Sequence, residues 1–314
     1  MAKADASLWG LGGLSWKELA KRVWNEANKD DIWGRAAQLS YYFLLALFPL
    51  LLVLMAIFGI FADKGTELRQ NLISYLTQVM PASAGELVQK TVDEVSNSAG
   101  AGKISAGLVA TLWAASNGMG AISETLNIAY NIKESRPWWK TRLVAINLTV
   151  ALSLLIVTAL VLLLYGSEIA DAIAAWAGLG GVFTVTWKIA QWPIVLFFML
   201  LSFNLIYYFA PDLKDQEWSW VTPGAAVGVA LWLLVSFAFK SYLKYFNSYS
   251  ATYGSLGALI IMMLWFYFTG MAILFGGEVN SEIEDAAAKS GAQDAKSKKR
   301  ASEGKGKRGK GRKG

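Results

Sequence analysis

Residues 43–60 read FLLALFPLLLVLMAIFGI and contain no charged side chain. Crossing about 30 Å of hydrocarbon takes roughly 20 mostly apolar residues of α-helix, so this stretch predicts a membrane-spanning helix. Its one strong helix breaker is Pro49. Proline is tolerated in membrane helices because neighbouring groups satisfy the freed carbonyl, and we expect a kink there and not a break.

Five further stretches meet the same requirement. The six predicted spans are 37–62, 104–125, 143–165, 185–209, 220–243 and 254–277. The composition agrees, since 55% of the 314 residues are hydrophobic and 17% are charged, against about 25% charged in a soluble domain. The sequence predicts an all-α fold, a polytopic membrane helix bundle with six transmembrane helices.

The distribution of Lys and Arg predicts the orientation. With six spans both termini share a side, and most of the basic residues lie on that side, which should therefore be the cytoplasm. The expected organisation is a cytoplasmic interfacial segment (1–36), a transmembrane domain (37–280) with an exported loop (63–102), and a disordered basic tail (281–314). Apolar residues at helical spacing in the exported loop predict two short amphipathic helices that cap the outer face.

Two terminal segments are expected to meet the membrane surface. Leu14, Trp16, Leu19, Val23 and Trp24 recur at helical spacing among charges, which predicts an interfacial helix lying on the bilayer, or alternatively a solvent-exposed cap. The tail has eleven basic residues after Asp285, so anionic lipid head groups are its expected partners. No aromatic residues interleave with these charges, which argues against a specific nucleic-acid reader.

The chain has no Cys and no His. This excludes disulfides, thiol nucleophiles, zinc sites built from Cys or His, and Ser-His or Cys-His catalysis. No GxxxxGK[ST] loop is present, so ATP-driven pumping by this chain alone is not expected. We predict that the protein is not an enzyme, and we assign no catalytic, cofactor-binding or metal-ligating residues.

Polar residues inside predicted spans are candidates for a polar cavity between the first two helices. The candidates are Gln38, Tyr41, Tyr42, Asn117, Glu124 and Asn127. Glu124 would be the ionisable member and a site for proton exchange, with snorkelling to water as its alternative role. Glu278, followed by Asn280, is expected to be a cytoplasmic cap in preference to half of a gate.

A weak internal symmetry is also present. The first and fourth spans carry Pro49 and Pro193, and the second and fifth carry a Leu-Trp pair followed by Asn127 and Asn247. If the halves are related, the repeat must be inverted, as in many secondary transporters. Chance similarity is the alternative.

Several motifs together resemble the YihY/BrkB family of bacterial inner-membrane proteins, formerly labelled ribonuclease BN. Residues 36–49 read AAQLSYYFLLALFP, 136–140 read RPWWK, 252–258 read TYGSLGA, and 276–280 read GGEVN, with a Leu-Trp pair at 264–265. The resemblance covers residues 14–285. Members of this family are linked to serum resistance. The resemblance implies six helices in the inner membrane and a transporter or permease role.

Three functions follow from these observations. The first is a transporter or permease for a small solute or lipid in the bacterial inner membrane, and the second is a non-transporting envelope-integrity or virulence-associated scaffold. The third is the ribonuclease of the older label. The residues argue against the third, because metal-dependent RNA cleavage needs clustered carboxylates or histidines, and Asp212, Asp215 and Glu217 on one short loop are typical of a solvated turn.

Overall fold

The structure, a computed structural model, describes residues 8–61, 106–178, 181–213, 218–245 and 255–289. Within these ranges all regular structure is helical. A 3-10 segment, Leu8–Gly13, precedes seven α-helices. They are α1 (Trp16–Lys29), α2 (Ile32–Phe61), α3 (Ala106–Ala129), α4 (Trp138–Ala177), α5 (Gly181–Phe209), α6 (Pro223–Tyr245) and α7 (Ser255–Lys289).

Each of the six predicted spans coincides with one helix from α2 to α7. Among the described residues, four helical stretches are long and apolar enough to cross a membrane: Trp138–Leu163, Phe183–Phe209, Pro223–Tyr242 and Leu259–Lys289. The all-α fold is therefore confirmed for the described residues, and four of their helices have the length and composition of membrane spans. Over the first two predicted spans the structure has helices, α2 and α3, which are not among these four. Pro49 lies inside a continuous helix, as expected.

Two helices run further than their hydrophobic stretches. Helix α4 continues past residue 165 to Ala177, through Gly166. A Cβ at Gly166 would meet the side-chain oxygen of Gln191 on α5 at 2.5 Å, so the two helices approach closely there. Helix α7 continues to Lys289, so the boundary expected at 281 is too early. Residues 281–286 are buried, and packing therefore extends this helix beyond its apolar run.

The chain divides into two compact units. Unit 1 comprises the described residues of Met1–Tyr42, Gly120–Thr141 and Phe203–Gly314, and unit 2 those of Phe43–Met119 and Arg142–Ser202. Unit 1 holds α1, α6 and α7, together with the turn between α3 and α4. Unit 2 holds most of α4 and the first part of α5.

The apolar face of helix α1 packs against protein. The sequence predicts that this face lies on the bilayer. Ser15 caps its first turn by accepting a hydrogen bond from the amide of Glu18 at 3.2 Å. One turn apart, Leu19 and Val23 are buried in a cluster with Leu11 of the 3-10 segment and with Val279 and Ile283 of α7. Exposed tryptophans, Trp16 and Trp24, remain on the outer side of α1.

Several predictions fall on residues that the structure leaves undescribed. They are the exported loop 63–102 with its two short helices, Asn247 of the proposed repeat, Asp215 and Glu217, and the basic tail from 290 onward. These stay predictions.

Candidate functional site

The six predicted cavity residues differ in their surroundings. Gln38, Tyr41 and Glu124 are exposed, Tyr42 is half-buried, and Asn127 is buried. The rings of Tyr41 and Tyr42 meet edge to face with centroids 5.7 Å apart. That contact is the one link among the six that the described residues show, so a shared cavity stays a prediction.

Two of the six bind other partners. Asn117, which is exposed and lies in unit 2, accepts a hydrogen bond from Arg142 at 2.8 Å. Asn127, in unit 1, donates to Glu134 at 2.9 Å and accepts the backbone N–H of Asp212 at 2.8 Å. Asn127 thus joins the end of α3 to the segment that follows α5.

A polar network around Arg136 fastens these same segments. The guanidinium donates to both carboxylate oxygens of Glu134, at 2.8 and 2.7 Å, and to the carbonyl of Ala210 at 2.9 Å. Asp212 accepts hydrogen bonds from the amide and the hydroxyl of Ser135. The RPWWK motif therefore supplies, through its arginine, a link between the α3–α4 turn and the end of α5.

The charges of this network stabilise one another. Burial would raise the pKa of Glu134, but hydrogen bonds from Arg136 and Asn127 outweigh it, and the pKa lies below its ordinary value. The hydrogen bonds to Glu134 in turn raise the pKa of Arg136. A carboxylate and a guanidinium that each favour the charged form of the other are typical of an ion pair that stabilises the fold.

The last helix carries a second polar region, the buried acidic end, which comprises Glu278, Glu282, Glu284 and Asp285. All four are buried, and Glu278 has an exposed fraction of 0%. The charge of Glu282 acts on Lys29 of α1. The pKa of Lys29 is raised, first by the hydrogen bond to Glu26 and also by the charge of Glu282. The described residues contain no group of three acidic side chains placed to hold a metal ion.

Two buried tyrosines lie beside the acidic end. Tyr130, which follows α3, and Tyr207 of α5 are both almost fully buried. The Tyr207 hydroxyl donates to the carbonyl of Ile273 at 2.8 Å. Burial raises the pKa of Tyr130, and the negative charges of Glu284 and Glu278 raise it further, which places both carboxyls within electrostatic reach of its hydroxyl.

The GGEVN motif at 276–280 has a packing role at almost every position. A Cβ at Gly276 would overlap the Tyr207 hydroxyl and the carbonyl of Gly224, and one at Gly277 would meet the Leu126 side chain at 2.6 Å. Val279 packs under α1. The glycines therefore allow α3, α5 and α6 to approach α7 closely, immediately before the buried Glu278.

The sequence favoured a cytoplasmic cap for Glu278, whereas the side chain is enclosed by protein. Hydropathy indicates where an apolar run ends but not which other helices surround that end. The signal that could have identified the burial is the pair of glycines before Glu278 together with the asparagine two residues after it, since this pattern favours close helix contact and an internal hydrogen bond.

Helices α6 and α7 leave an apolar cavity of about 360 Å³ within unit 1. The lining residues are Leu234, Val235, Ala238, Phe239 and Tyr242 of α6 and Leu264 and Phe268 of α7. These residues lie toward the C-terminal end of α6, whereas Gly224 and Gly276 bring the two helices together near its N-terminal end. The pair is therefore in tight contact at one end and open at the other.

Comparison with known proteins identifies the family. A family model described as "Virulence factor BrkB" matches residues 23–301. The ribonuclease-like protein YfkH of Bacillus subtilis is 36% identical over 248 residues, which cover 79% of this chain and 88% of that protein. A UPF0761 membrane protein of Pseudoalteromonas atlantica is 27% identical over 263 residues, covering 83% and 84%.

A longer UPF0761 membrane protein of Xanthomonas campestris is 23% identical over 268 residues, covering 83% of this chain and 59% of that protein. No solved structure matches significantly. The match to the family model extends over most of the chain, and the resemblance seen in the motifs is confirmed. The chain belongs to the BrkB family of membrane proteins.

Proposed function

We propose that this membrane protein is a transporter for a small solute or lipid, with Glu278 as the ionisable group at its centre. Glu278 is fully buried on a helix that is long and apolar enough to cross a membrane. A carboxylate inside a membrane helix costs about 3 kcal/mol, and such residues commonly serve proton relays and ion pathways. The burial of Glu278 is the observation that carries this proposal.

Two neighbouring hydroxyls support a proton role for Glu278. Tyr130 and Tyr207 are both buried beside the acidic end. The Tyr207 hydroxyl donates to the carbonyl of Ile273, and its oxygen can still accept a hydrogen bond from a carboxylic acid. In the proposed cycle Glu278 takes up a proton in one state and releases it in another as substrate crosses. Glu124, the ionisable residue expected from sequence, is exposed and gets a secondary place in this proposal.

We also propose six crossings with both termini in the cytoplasm of a bacterium and the protein in its inner membrane. If α2 to α7 each cross once, the N-terminal segment, the α3–α4 turn, the segment after α5 and the end of α7 all face one side. Contacts within unit 1 agree with this. The amide of Ser135 donates to Asp212 at 2.8 Å, the indole of Trp9 donates to the carbonyl of Val221 at 3.0 Å, and Ser281 donates to the carbonyl of Ala129 at 2.8 Å.

Reconstitution tests transport with no substrate chosen in advance. Proteoliposomes would be loaded with a uniformly isotope-labelled extract of small metabolites, and labelled compounds released under an imposed pH gradient would be identified by mass spectrometry. A parallel set would contain head-group-labelled phospholipid, with movement between leaflets read by chemical quenching. Protein-free liposomes are the control.

The transporter proposal expects at least one compound or lipid to move faster than in protein-free liposomes. An absence of both solute release and lipid movement would contradict it. That result would favour the envelope scaffold, which has one supporting observation: the Arg136 network is bonded internally and needs no substrate.

The name of the Bacillus relative suggests RNA cleavage as an activity. We do not propose this activity for the present chain. Asp212, the described member of the acidic loop, is buried and accepts two hydrogen bonds from Ser135. That carboxylate fastens one loop to another and is poorly placed to meet RNA. The basic tail stays proposed as a partner of anionic lipid head groups.

A further inference from the structure

Arg142 is an arginine held by neutral groups at the start of an apolar helix. It lies in the second turn of α4, inside the stretch Trp138–Leu163 that is apolar enough to cross a membrane. One terminal nitrogen of its guanidinium donates to the side-chain oxygen of Asn117 at 2.8 Å, and the other donates to the backbone carbonyl of Trp113. These three residues all belong to unit 2.

The ring of Trp113 covers one face of the same guanidinium. The central carbon of Arg142 lies 3.9 Å from the ring centroid, a close cation–π contact. Residues four apart on a helix lie on the same face, so one face of α3 provides the whole cradle through Trp113 and Asn117. The cradle fixes the plane and the direction of the guanidinium.

None of these partners neutralises the charge. Among the residues that the structure describes, no carboxylate oxygen lies within 4.0 Å of Arg142. Its Nε is buried and has no hydrogen-bond partner there. A guanidinium has five N–H donors, and the two bonds to Asn117 and Trp113 use two of them. Arg142 is therefore held in place while it keeps its charge and several unused donors.

An uncompensated cation near hydrocarbon is costly, and a bound anion removes that cost. Helix α4 begins with Trp138 and Trp139, whose exposed fractions are 73% and 48%, and exposed tryptophans are enriched where a membrane helix meets the head groups. Arg142 follows them by about one turn, roughly 5 Å along the axis. Helical side chains point back toward the N-terminus, so the guanidinium can reach the level of these tryptophans, where lipid head groups are expected.

We propose that Arg142, positioned by Asn117 and Trp113, is a binding site for a phosphate group, carried by an anionic phospholipid or by a soluble phosphate ester. Each terminal nitrogen of Arg142 carries a second N–H beside the one that the cradle uses, and two such donors match two oxygens of a phosphate. The neutral cradle orients the guanidinium without neutralising its charge. This phosphate site involves no property of Glu278. It goes beyond the proposed transport function and does not depend on it.

Binding to purified protein in a neutral detergent tests the site. Native mass spectrometry would count bound lipid with phosphatidylglycerol, with phosphatidylcholine, and with glycerol phosphate or inorganic phosphate as soluble competitors at matched ionic strength. Arg142→Gln should weaken phosphatidylglycerol binding about tenfold, the loss expected for one charge-assisted contact. Asn117→Ala should weaken it several-fold, because the charge stays but its orientation is lost.

The control variant is Arg22→Gln, which removes an arginine that forms a surface ion pair with Glu18. It should bind phosphatidylglycerol as the unaltered protein does. Where Arg142→Gln does not give monodisperse protein, Arg142→Lys serves instead, since it keeps the charge and loses the fork.

The competitors separate the two sources of phosphate. Displacement of phosphatidylglycerol by glycerol phosphate at comparable concentration would assign the site to a soluble ester, and resistance to displacement would assign it to a lipid. Unchanged binding of every phosphate-bearing probe in Arg142→Gln and Arg142→Lys would overturn the proposal.

Discussion

The backbone amide of Gly224 donates a hydrogen bond of 2.8 Å to the side-chain oxygen of Asn280. The amide nitrogen of Asn280 donates in turn to the Thr222 hydroxyl at 3.1 Å. The first N–H groups of a helix lack partners within it, so Asn280 of α7 caps the beginning of α6 from outside. This contact gives the asparagine of the GGEVN motif a structural role two residues after Glu278.

Asn280→Ala should destabilise the protein by about 2 kcal/mol, because it leaves a buried amide of α6 without its acceptor. Thermal unfolding in detergent measures the effect. Asn25→Ala is the control, since Asn25 is exposed on α1, and it should change the unfolding temperature little. Equal unfolding temperatures for the two variants would contradict the capping role.

Gly276→Ala should separate α6 from α7. Its Cβ would overlap the carbonyl of Gly224 and the hydroxyl of Tyr207, and relief of such crowding costs about 1–3 kcal/mol. Gly120→Ala is the matched control within α3, because nothing lies within 4 Å of a Cβ there. The control should gain up to about 1 kcal/mol from helix propensity. Unfolding temperatures that moved in the same direction would count against close packing at Gly276.

The Glu134 carboxylate should make the free energy of unfolding depend on pH in the acidic range. Its pKa is lower in the folded protein than in the unfolded chain, where it is about 4.3. The stabilisation is therefore fully present above that value and is lost as the pH falls toward the lowered pKa. Unfolding scans between pH 7 and 3 should show this loss, and Glu134→Gln should show less of it. Identical pH profiles would refute the assignment.

Purified protein should not cleave tRNA when magnesium or manganese is supplied. The Asp212 carboxylate accepts hydrogen bonds from the amide and the hydroxyl of Ser135, and Asp212→Asn weakens them. This variant should therefore lower the unfolding temperature and leave RNA untouched. Gel analysis of labelled tRNA measures this. Cleavage that copurifies with the chain and disappears in Asp212→Asn would establish the ribonuclease instead.

The positions of the helices could be predicted from sequence because each hydrophobic run is as long as a bilayer is thick. The ends of two helices could not. Helix α4 passes through Glu168 and Asp171, where hydropathy suggests a loop. It contacts α5 there, for example through the hydrogen bond from Thr184 to Asp171 at 3.1 Å. Local composition carries no information about such partners.

The burial of Glu278 could not be predicted for the same reason. The sequence favours Glu124 because it ends a stripe of amides on one helix, and this residue is exposed in the structure, so its role stays a prediction. Glu278 follows two glycines at the end of an apolar run and is buried. These glycines contact Tyr207, Leu126 and Gly224, each from a different helix. Periodicity within one helix predicts which face is polar, and only the packing of several helices determines which polar group is enclosed.

The central claim is that Glu278 is the ionisable group of a transporter. The most direct measurement is release under a pH gradient from proteoliposomes that hold equal amounts of the unaltered protein, Glu278→Gln or Glu124→Gln. We predict that Glu278→Gln abolishes the gradient-dependent release, because glutamine keeps the shape of the side chain and cannot exchange a proton, and that Glu124→Gln retains it. Release by Glu278→Gln equal to that of the unaltered protein would contradict the account.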